Sequence, residues 1–327
     1  MTDPSPPLVS APAPPGPAAE LSAGSVVTLD HVTVIYGKVA ALKDVTASFA
    51  AGAVGLLGPN GAGKSTMLKA LLGFVVPDQG EMRVLGLDVR HRGHEIRGRI
   101  GYMPESDAHI PGMNAVSFVG YCGELAGLPA ADAMQRAHEV LQYVGLGEAR
   151  YRNVETYSTG MKQRIKLAQA LVHDPDLLLL DEPTNGMDPK GRDEMLELIH
   201  DLGHNKRVNL ILSSHLLPDV EHTCDHVVVM DKGRVAAHGP IAALKGPAGR
   251  VFELRVKGEL EAFLEVLRRE GLQCHATDED VMRVFVPDGR GARDVFALAA
   301  AHGTQVRHLR PSVPTLEDVF ARALGEQ

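Results

Sequence analysis

The chain has 327 residues, of which 44% are hydrophobic and 23% are charged, and its formal net charge is −8. That length allows one large domain or two modest ones with a sizeable buried core. The acidic balance argues against a broad nucleic-acid-binding surface, which needs an excess of basic residues. We therefore expect a globular protein that has no nucleic-acid partner.

The apolar runs are too short to predict a membrane-spanning helix, because about 20 apolar residues are needed to cross a bilayer. The first basic residue is Lys38, which does not fit the positively charged start of a secretory signal. The cysteines lie far apart without metal-ligand spacing, at Cys122, Cys224 and Cys274, as expected of small buried side chains in a reducing cytosol. We expect a cytoplasmic protein, and any work at a membrane would need another chain to span it.

The first quarter of the chain predicts a tail followed by strands. Residues 1–25 are rich in proline and alanine, which predicts a disordered tail. Residues 26–35 and 45–49 have the patterns of strands. Residues 53–57 predict a short buried strand that runs into a glycine-rich loop, and residues 64–74 have the apolar spacing of a helix.

The middle of the chain alternates between helices and strands. Residues 110–172 have mostly helical patterns, and the apolar run 177–180 predicts a central parallel strand covered on both faces. Asp188 can cap the next helix, with Pro189 at its first position. Further strands are predicted at residues 208–212, 227–230 and 234–237. This alternation indicates an α/β core.

After Gly246 the pattern starts again with six elements in the order β-α-β-β-α-β. They are predicted at residues 251–256, 259–270, 272–276, 282–286, 292–301 and 305–309, and a last helix at 315–324. The order is that of a small ferredoxin-like α+β sandwich. We therefore predict two domains, residues 26–246 and residues 247–327.

The glycine-rich loop matches the phosphate-binding pattern G-x-x-x-x-G-K-[ST] between a strand and a helix. Its glycines let backbone N–H groups turn towards phosphates, and the helix N-terminus adds a favourable dipole. Lys64 is predicted to reach the β- and γ-phosphates of ATP, and the Ser65 hydroxyl to ligate Mg²⁺. The predicted nucleotide-binding residues are Gly58, Pro59, Asn60, Gly61, Ala62, Gly63, Lys64, Ser65 and Thr66. The alternative is a glycine-rich turn that happens to contain Lys-Ser.

Two acidic residues end the apolar run. Asp181 would lie at the carboxyl edge of the predicted sheet, beside the loop, where it can ligate Mg²⁺. Glu182, one residue later, can act as the general base that activates water. Alone, this pattern is common for a solvated strand end. Together with Lys64 it predicts ATP hydrolysis.

Residues 157–161, with the sequence YSTGM, precede an amphipathic helix. Ser158 can be a plain helix cap, but a capped helix start with Gly160 behind it can also receive a γ-phosphate. At this point the chain resembles the nucleotide-binding subunits of ATP-binding cassette (ABC) transporters, whose LSGGQ signature precedes the acidic strand. Ser158 and Gly160 keep that pattern, whereas Thr159 and Met161 depart from it.

The resemblance extends over residues 26–239 and implies roles for further residues. Tyr36 matches the aromatic residue that stacks on adenine, although a strand-end tyrosine can simply belong to the core. His215 matches the switch histidine that contacts the γ-phosphate and would join Lys64 and Glu182 in catalysis. Residues 185–188 match the loop that crosses the dimer interface. Glu105 stands where the family usually has glutamine, which leaves coupling at that position open.

The resemblance implies an ABC ATPase fold, with a parallel-sheet core, an antiparallel β subdomain and a helical subdomain. It also implies that two cassettes, in a homodimer here, sandwich two ATP–Mg²⁺ and attach to a membrane permease on the cytoplasmic face. The C-terminal residues 314–320 resemble those of ABC-2-type bacterial export cassettes. We therefore expect the ATP-hydrolysing subunit of an exporter.

Four alternatives remain. An import cassette shares the same motifs. A DNA-repair ATPase would need a long coiled coil between Lys64 and Ser158, and no heptad run lies there. A translation factor would carry two cassettes in one chain, and a small-molecule kinase would leave residues 157–161 and His215 unexplained.

Overall fold

The computed structural model describes residues 24–107, 109–245, 251–257, 260–278, 281–287 and 289–324. The predicted tail, residues 1–25, lies outside the described residues except for Gly24 and Ser25. In chain order the strands are β1 Ser25–Tyr36, β2 Val39–Ala50, β3 Ala53–Leu57, β4 Gln79–Val84, β5 Leu87–Asp88, β6 Ile100–Met103, β7 Leu177–Asp181, β8 Asn209–Ser214, β9 His226–Asp231, β10 Arg234–Pro240, β11 Val251–Lys257, β12 Gln273–Asp278, β13 Val281–Phe285 and β14 Gln305–Ser312.

The α-helices alternate with these strands through most of the chain. They are α1 Lys64–Leu71, α2 Val89–Arg99, α3 Ala115–Leu125, α4 Ala130–Tyr143, α5 Thr159–Leu171, α6 Pro189–His200, α7 Leu217–Thr223, α8 Ile241–Lys245, α9 Leu260–Arg269, α10 Ala292–Ala301 and α11 Leu316–Leu324. Among the described residues, none of these helices is both long and apolar enough to span a bilayer.

The central sheet has the strand order β10-β9-β3-β8-β7-β6, and only β10 runs antiparallel to its neighbour. Every residue of β3 and β7 is buried, as expected for parallel strands covered on both faces. Leu57 pairs with Ser214, and Asp181 with Ser213. The segments that leave β3, β7 and β8 therefore meet at one edge, which is where ligands bind in open α/β sheets.

A second, antiparallel sheet has the order β2-β1-β4-β5. The predicted strand at residues 26–35 is confirmed, whereas the one predicted at 45–49 is the end of the longer β2. Strands β4 and β5 escaped prediction. Strand β5 has only two residues, and β4 offers only two apolar side chains to the core, Met82 and Val84, which is too few for a recognisable pattern.

The helical prediction for residues 110–172 is confirmed by α3, α4 and α5. Helices α3 and α4 pack closely at Gly123, where an added Cβ would lie 3.1 Å from the Ala133 Cβ. Asp188 occupies the predicted cap position of α6, with Pro189 at the start of the helix, but the prediction that its side chain caps the helix was wrong. In the described structure its carboxylate makes no capping hydrogen bond, and only its carbonyl accepts from the Arg192 N–H, at 2.9 Å.

The C-terminal sheet is antiparallel with the order β12-β13-β11-β14, the strand arrangement of the predicted ferredoxin-like sandwich. Its own core includes Phe263 and Leu267 of α9 and Val295 of α10. The last helix, α11, belongs to a different core, because Leu316 and Val319 pack into the cluster of the central sheet.

Candidate active site

The glycine-rich loop is pressed against neighbouring backbone where it leaves β3. Gly63 has φ 107°, and a Cβ there would lie 2.8 Å from the Ala41 carbonyl oxygen. A Cβ at Gly58 would lie 2.5 Å from the Met230 carbonyl oxygen. Both contacts are too close for any side chain, so glycine is required at each position. Helix α1 then begins at Lys64, and its N-terminus faces the loop.

Lys64 is a buried cation, with 7% of its surface exposed. Its Nζ donates to the Gly58 carbonyl oxygen at 2.6 Å and lies 4.0 Å from Glu182 Oε1. Burial lowers the pKa of Lys64, and the carboxylate of Glu182 opposes that shift most strongly. The ammonium group is therefore held between the loop and the acidic end of β7.

Asp181 and Glu182 lie at the end of β7 as predicted, 4% and 8% exposed. Burial raises the pKa of Asp181, and the charges of Glu105 and Glu182 raise it further. Glu182 has φ 49°, an unusual conformation for a residue with a side chain, and its N–H donates to the Ser213 carbonyl oxygen at 2.9 Å. Such strain costs on the order of 1 kcal/mol and is typical of functional sites.

His215 follows β8 and pairs with Glu182. Its Nδ1 lies 2.8 Å from Glu182 Oε2, while 47% of the side chain is exposed. The backbone of the next residue is fixed, because the Leu216 N–H donates to Ser214 Oγ at 3.0 Å. Lys64, Glu182 and His215 thus form a continuous chain of charged and polar groups.

These groups line one cavity of about 570 Å³, a size typical of sites for small-molecule ligands. Its wall contains residues 59–66 of the loop, together with Glu105, Asp181, Glu182 and His215. The structure therefore brings together most of the predicted ATP-binding, catalytic and metal-ligating residues. Glu105 Oε1 lies 3.5 Å from Asn185 Nδ2, a weak hydrogen bond across the cavity wall.

Four predicted residues are not in this wall, and one of them is Gly58, which begins the loop. Tyr36 is 47% exposed at the end of β1, although Val39, its partner in the hairpin, lines the cavity. Ser158 and Gly160 lie at the start of α5, where Ser158 Oγ accepts from the Met161 N–H at 3.4 Å. The predicted helix cap at Ser158 is thus present, and the exposed serine hydroxyl stands outside the loop cavity of its own chain.

Asn185, matched above to the interface loop, also lines the cavity. Sequence analysis missed six further wall residues: Val39, Ala40, Ala41, Lys43, Lys232 and Gly233. Lys43 N–H donates to the Gly233 carbonyl oxygen at 2.8 Å, and Gly233 N–H donates to the Ala62 carbonyl oxygen at 3.0 Å. The β9–β10 turn therefore joins β2 to the loop, and Lys43 of β2 and Lys232 of the turn add two cations to the wall. The short gap between the strands predicted at residues 227–230 and 234–237 was the only signal for this contact.

The residues fit Mg²⁺ held jointly with phosphate. Ser65 and Asp181 offer the hydroxyl and carboxylate oxygens that Mg²⁺ prefers, and both line the cavity. Within the described residues, no group of three His, Cys, Asp or Glu side chains is arranged to hold a metal by itself. Magnesium commonly takes one or two protein ligands and completes its shell with phosphates and water, which agrees with this small donor set.

Comparison with known proteins identifies the family. A family model described as ABC transporter matches residues 42–185. The linearmycin resistance ATP-binding protein LnrL of Bacillus subtilis is 34% identical over 306 residues, which is 90% of this chain and 97% of that protein. The Nod factor export ATP-binding protein I of Burkholderia lata is 34% identical over 84% of this chain and 88% of its own.

A solved structure agrees with these sequence matches. CbiO1 from Clostridium perfringens, part of the ABC transporter complex cbiONQ, superposes with a TM-score of 0.61 at 25% identity, over 66% of this chain and 89% of its own. The predicted ABC ATPase fold is thereby confirmed. The chain belongs to the ABC transporter family, as one of its ATP-binding, ATP-hydrolysing subunits.

Proposed function

We propose that this chain works in an exporter, as one of two identical cassettes attached to a membrane permease at the cytoplasmic face. Relatives named for Nod factor export and linearmycin resistance cover most of the chain and support this direction of transport. The observation that carries the proposal is the convergence of Lys64, Asp181, Glu182 and His215 on one cavity beside the glycine-rich loop.

The loop and its neighbours bind the nucleotide. Backbone N–H groups within residues 60–66, at the start of α1, would face the phosphates, and Lys64 supplies a buried positive charge for the β- and γ-phosphates. Ser65 and Asp181 would hold Mg²⁺, which neutralises charge on the phosphates when bound. Tyr36, exposed beside the cavity mouth, offers a ring face for adenine.

Glu182 is the general base. It is 8% exposed and its Oε2 lies beside His215 Nδ1, so the imidazole N–H can orient the carboxylate while the other oxygen accepts a proton from water. His215 keeps a half-exposed ring at the cavity wall, and as an imidazolium, which has two N–H donors, it can also donate to the γ-phosphate through Nε2. The φ of 49° at Glu182 supports the proposal, because backbone conformations unfavourable for a residue with a side chain cluster at functional sites.

Ser158 and Gly160 support a dimer. They stand outside the loop cavity, and Ser158 is exposed at the N-terminus of α5, where a phosphate of another chain's nucleotide can approach. In the proposed homodimer each ATP lies between the loop of one copy and the Ser158–Gly160 segment of the other. Both copies are then needed for each site.

Reconstitution tests the transport proposal. The membrane protein that co-purifies with the chain is first identified. The two proteins are then co-expressed and placed in vesicles with the cassettes on the outer face. ATP added outside should drive solute into the vesicle lumen, the direction that corresponds to export. ATP-dependent loss of solute from the lumen would indicate import, and absence of any co-purifying membrane protein would contradict the transport role.

A further inference from the structure

Lys166, on the third turn of α5, is a buried cation that the proposed mechanism leaves unused. Only 4% of its surface is exposed, and lysine is rarely buried to this degree unless its charge is paired. Burial lowers the pKa of Lys166, while the carboxylates of Asp107, Glu105 and Asp181 oppose the shift, in that order. The carboxylates that offset its burial are thus those on and beside the cavity wall.

The ammonium group of Lys166 is fully engaged with one segment, residues 104–107. Its Nζ donates to the carbonyl oxygens of Pro104 at 3.0 Å and Glu105 at 2.8 Å, and it lies 3.8 Å from Asp107 Oδ1. An ammonium has three donors and no acceptor. Two of them hydrogen-bond to carbonyl oxygens of this segment, and the Asp107 carboxylate lies at ion-pair distance, which leaves little freedom for the backbone of Glu105.

The segment leads directly from the central sheet to the cavity. Strand β6 pairs with β7 in parallel, with Met103 opposite Leu180, so residues 104–107 continue past the level of Asp181. Glu105 lines the cavity there, and its Oε1 lies 3.5 Å from Asn185 Nδ2. Lys166 thus connects α5, which begins with the Ser158–Gly160 segment, to an acidic group of the nucleotide site.

Charge explains why a cation suits this position. The carboxylates Glu105, Asp181 and Glu182 share one cavity, and like charges held together oppose ionisation. Lys64 offsets them from the side of the loop, and Lys166 offsets them from the side of α5. A glutamate at position 105 adds the third of these charges, so the second cation compensates for it.

We propose that Lys166 is a positioning residue of the ATPase site, which fixes residues 104–107 so that the Glu105 carboxylate faces the cavity. The inference rests on the proposed nucleotide site, whose wall includes Glu105. Because the anchor lies on α5, a displacement of the Ser158–Gly160 segment moves Glu105 as well. Binding of ATP by a partner cassette is thereby coupled to the acidic wall of this chain's own cavity.

The first test is the backbone order parameter of the full chain, measured by NMR relaxation. Lys166→Met keeps the length of the side chain but removes the charge and the donors, and should lower the order parameters of the Glu105–Asp107 amides from the rigid-backbone value of about 0.85 to below about 0.6. Lys166→Arg should restore them to within about 0.1 of the wild type. Arg164→Met is the matched control, since Arg164 also lies on α5 and donates to a backbone carbonyl, that of Val144 at 2.8 Å. It should leave the segment unchanged.

The second test is steady-state ATP hydrolysis. Lys166→Met should lower kcat by about fivefold to tenfold, with KM for ATP within about twofold of the wild type. The thermal midpoints of Lys166→Met and Arg164→Met are compared as well, because a general loss of folded protein would lower both. In a double-mutant cycle, Glu105→Gln should change kcat less in the Lys166→Met background than in the wild type. A smaller effect of Glu105→Gln in the Lys166→Met background shows that Lys166 acts through Glu105, whereas a general destabilisation of the fold would leave the two effects independent.

The two kinds of failure are distinguishable. If the wild type hydrolyses no ATP, the proposed function fails, but the order parameters still test the anchor. If Lys166→Met leaves the order parameters of residues 105–107 within about 0.1 of the wild type, or if the two substitutions change kcat independently, the positioning role of Lys166 is overturned. Should Lys166→Met not fold, Lys166→Gln, which retains one donor group, is measured by the same criteria.

Discussion

Replacing Glu182 by glutamine changes the proposed general base with little change of shape. The side chain is 8% exposed, and glutamine keeps an oxygen that can accept from His215 Nδ1–H, now 2.8 Å from Glu182 Oε2. The φ of 49° is equally unfavourable for either residue. The substitution therefore removes the base and one negative charge while the fold and the pocket remain.

The expected loss follows from the role of a general base. Removing such a group costs on the order of 10²–10⁴-fold in rate, about 3–5 kcal/mol of barrier. ATP binding should be kept or become tighter, because the charge of Glu182 is one of those that raise the pKa of Asp181. The removal of one carboxylate thus leaves Asp181 more readily ionised and the cavity less repulsive to phosphate.

The assay pairs phosphate release with equilibrium ATP binding on the same preparation. Glu197→Gln is the matched control, because Glu197 also contacts a histidine, with His222 Nε2 at 3.2 Å from Oε1, but its side chain is exposed on α6. The control should hydrolyse ATP within about twofold of the wild type. Turnover of Glu182→Gln within about threefold of the wild type, in a homogeneous sample, would refute the reasoning.

Three other predictions concern binding, coupling and the C-terminal residues. Lys64→Ala should weaken ATP affinity clearly in calorimetry, because it deletes the buried charge beside the loop; unchanged affinity would mean that the loop amides dominate. Glu105→Gln should keep basal turnover within about tenfold, whereas Glu105→Ala should disturb permease stimulation more than basal turnover, and no change in either rate would make Glu105 a surface charge. A chain that ends at residue 246 should still fold and bind ATP but melt at a lower temperature, because it loses Leu316 and Val319 from the central core; Leu316→Ala alone should cost about 2–5 kcal/mol in the free energy of unfolding.

Local patterns explain what the sequence could predict. The loop at residues 58–66 and the Asp181–Glu182 end of a buried strand are short segments in which residue type and spacing determine both conformation and chemistry. The β-α-β-β-α-β order of the C-terminal residues is also local, since each element has its own periodicity. These features are confirmed by the strand and helix bounds of the structure.

Contacts between distant segments could not be predicted. Lys43 and Lys232 join the cavity wall only because the β9–β10 turn pairs with β2. Lys166 contacts the carbonyl oxygen of Glu105, which lies 61 residues earlier in the chain. Nothing in the pattern around Leu316 indicated that α11 would pack on the central core, because an amphipathic helix fits any apolar face. Asp188 had the type and position of a helix cap, yet its side chain makes no such bond in the described structure.

The Ser158–Gly160 segment and the loop cavity make the composite site testable with two inactive variants. Lys64→Ala disables the loop. Gly160→Asp should repel the γ-phosphate while the helix persists, since an acidic residue in the first turn favours a helix and an added Cβ would lie 3.4 Å from the Met187 methyl carbon. Each variant alone should be inactive.

Mixing these two variants therefore tests the central claim most directly. In an equal mixture about half of the dimers are mixed, and each mixed dimer has one intact site, formed by the loop of the Gly160→Asp copy and the Ser158–Gly160 segment of the Lys64→Ala copy. The account predicts that ATPase activity returns to about a quarter of the wild-type value. Activity no greater than the sum of the separate variants would contradict it.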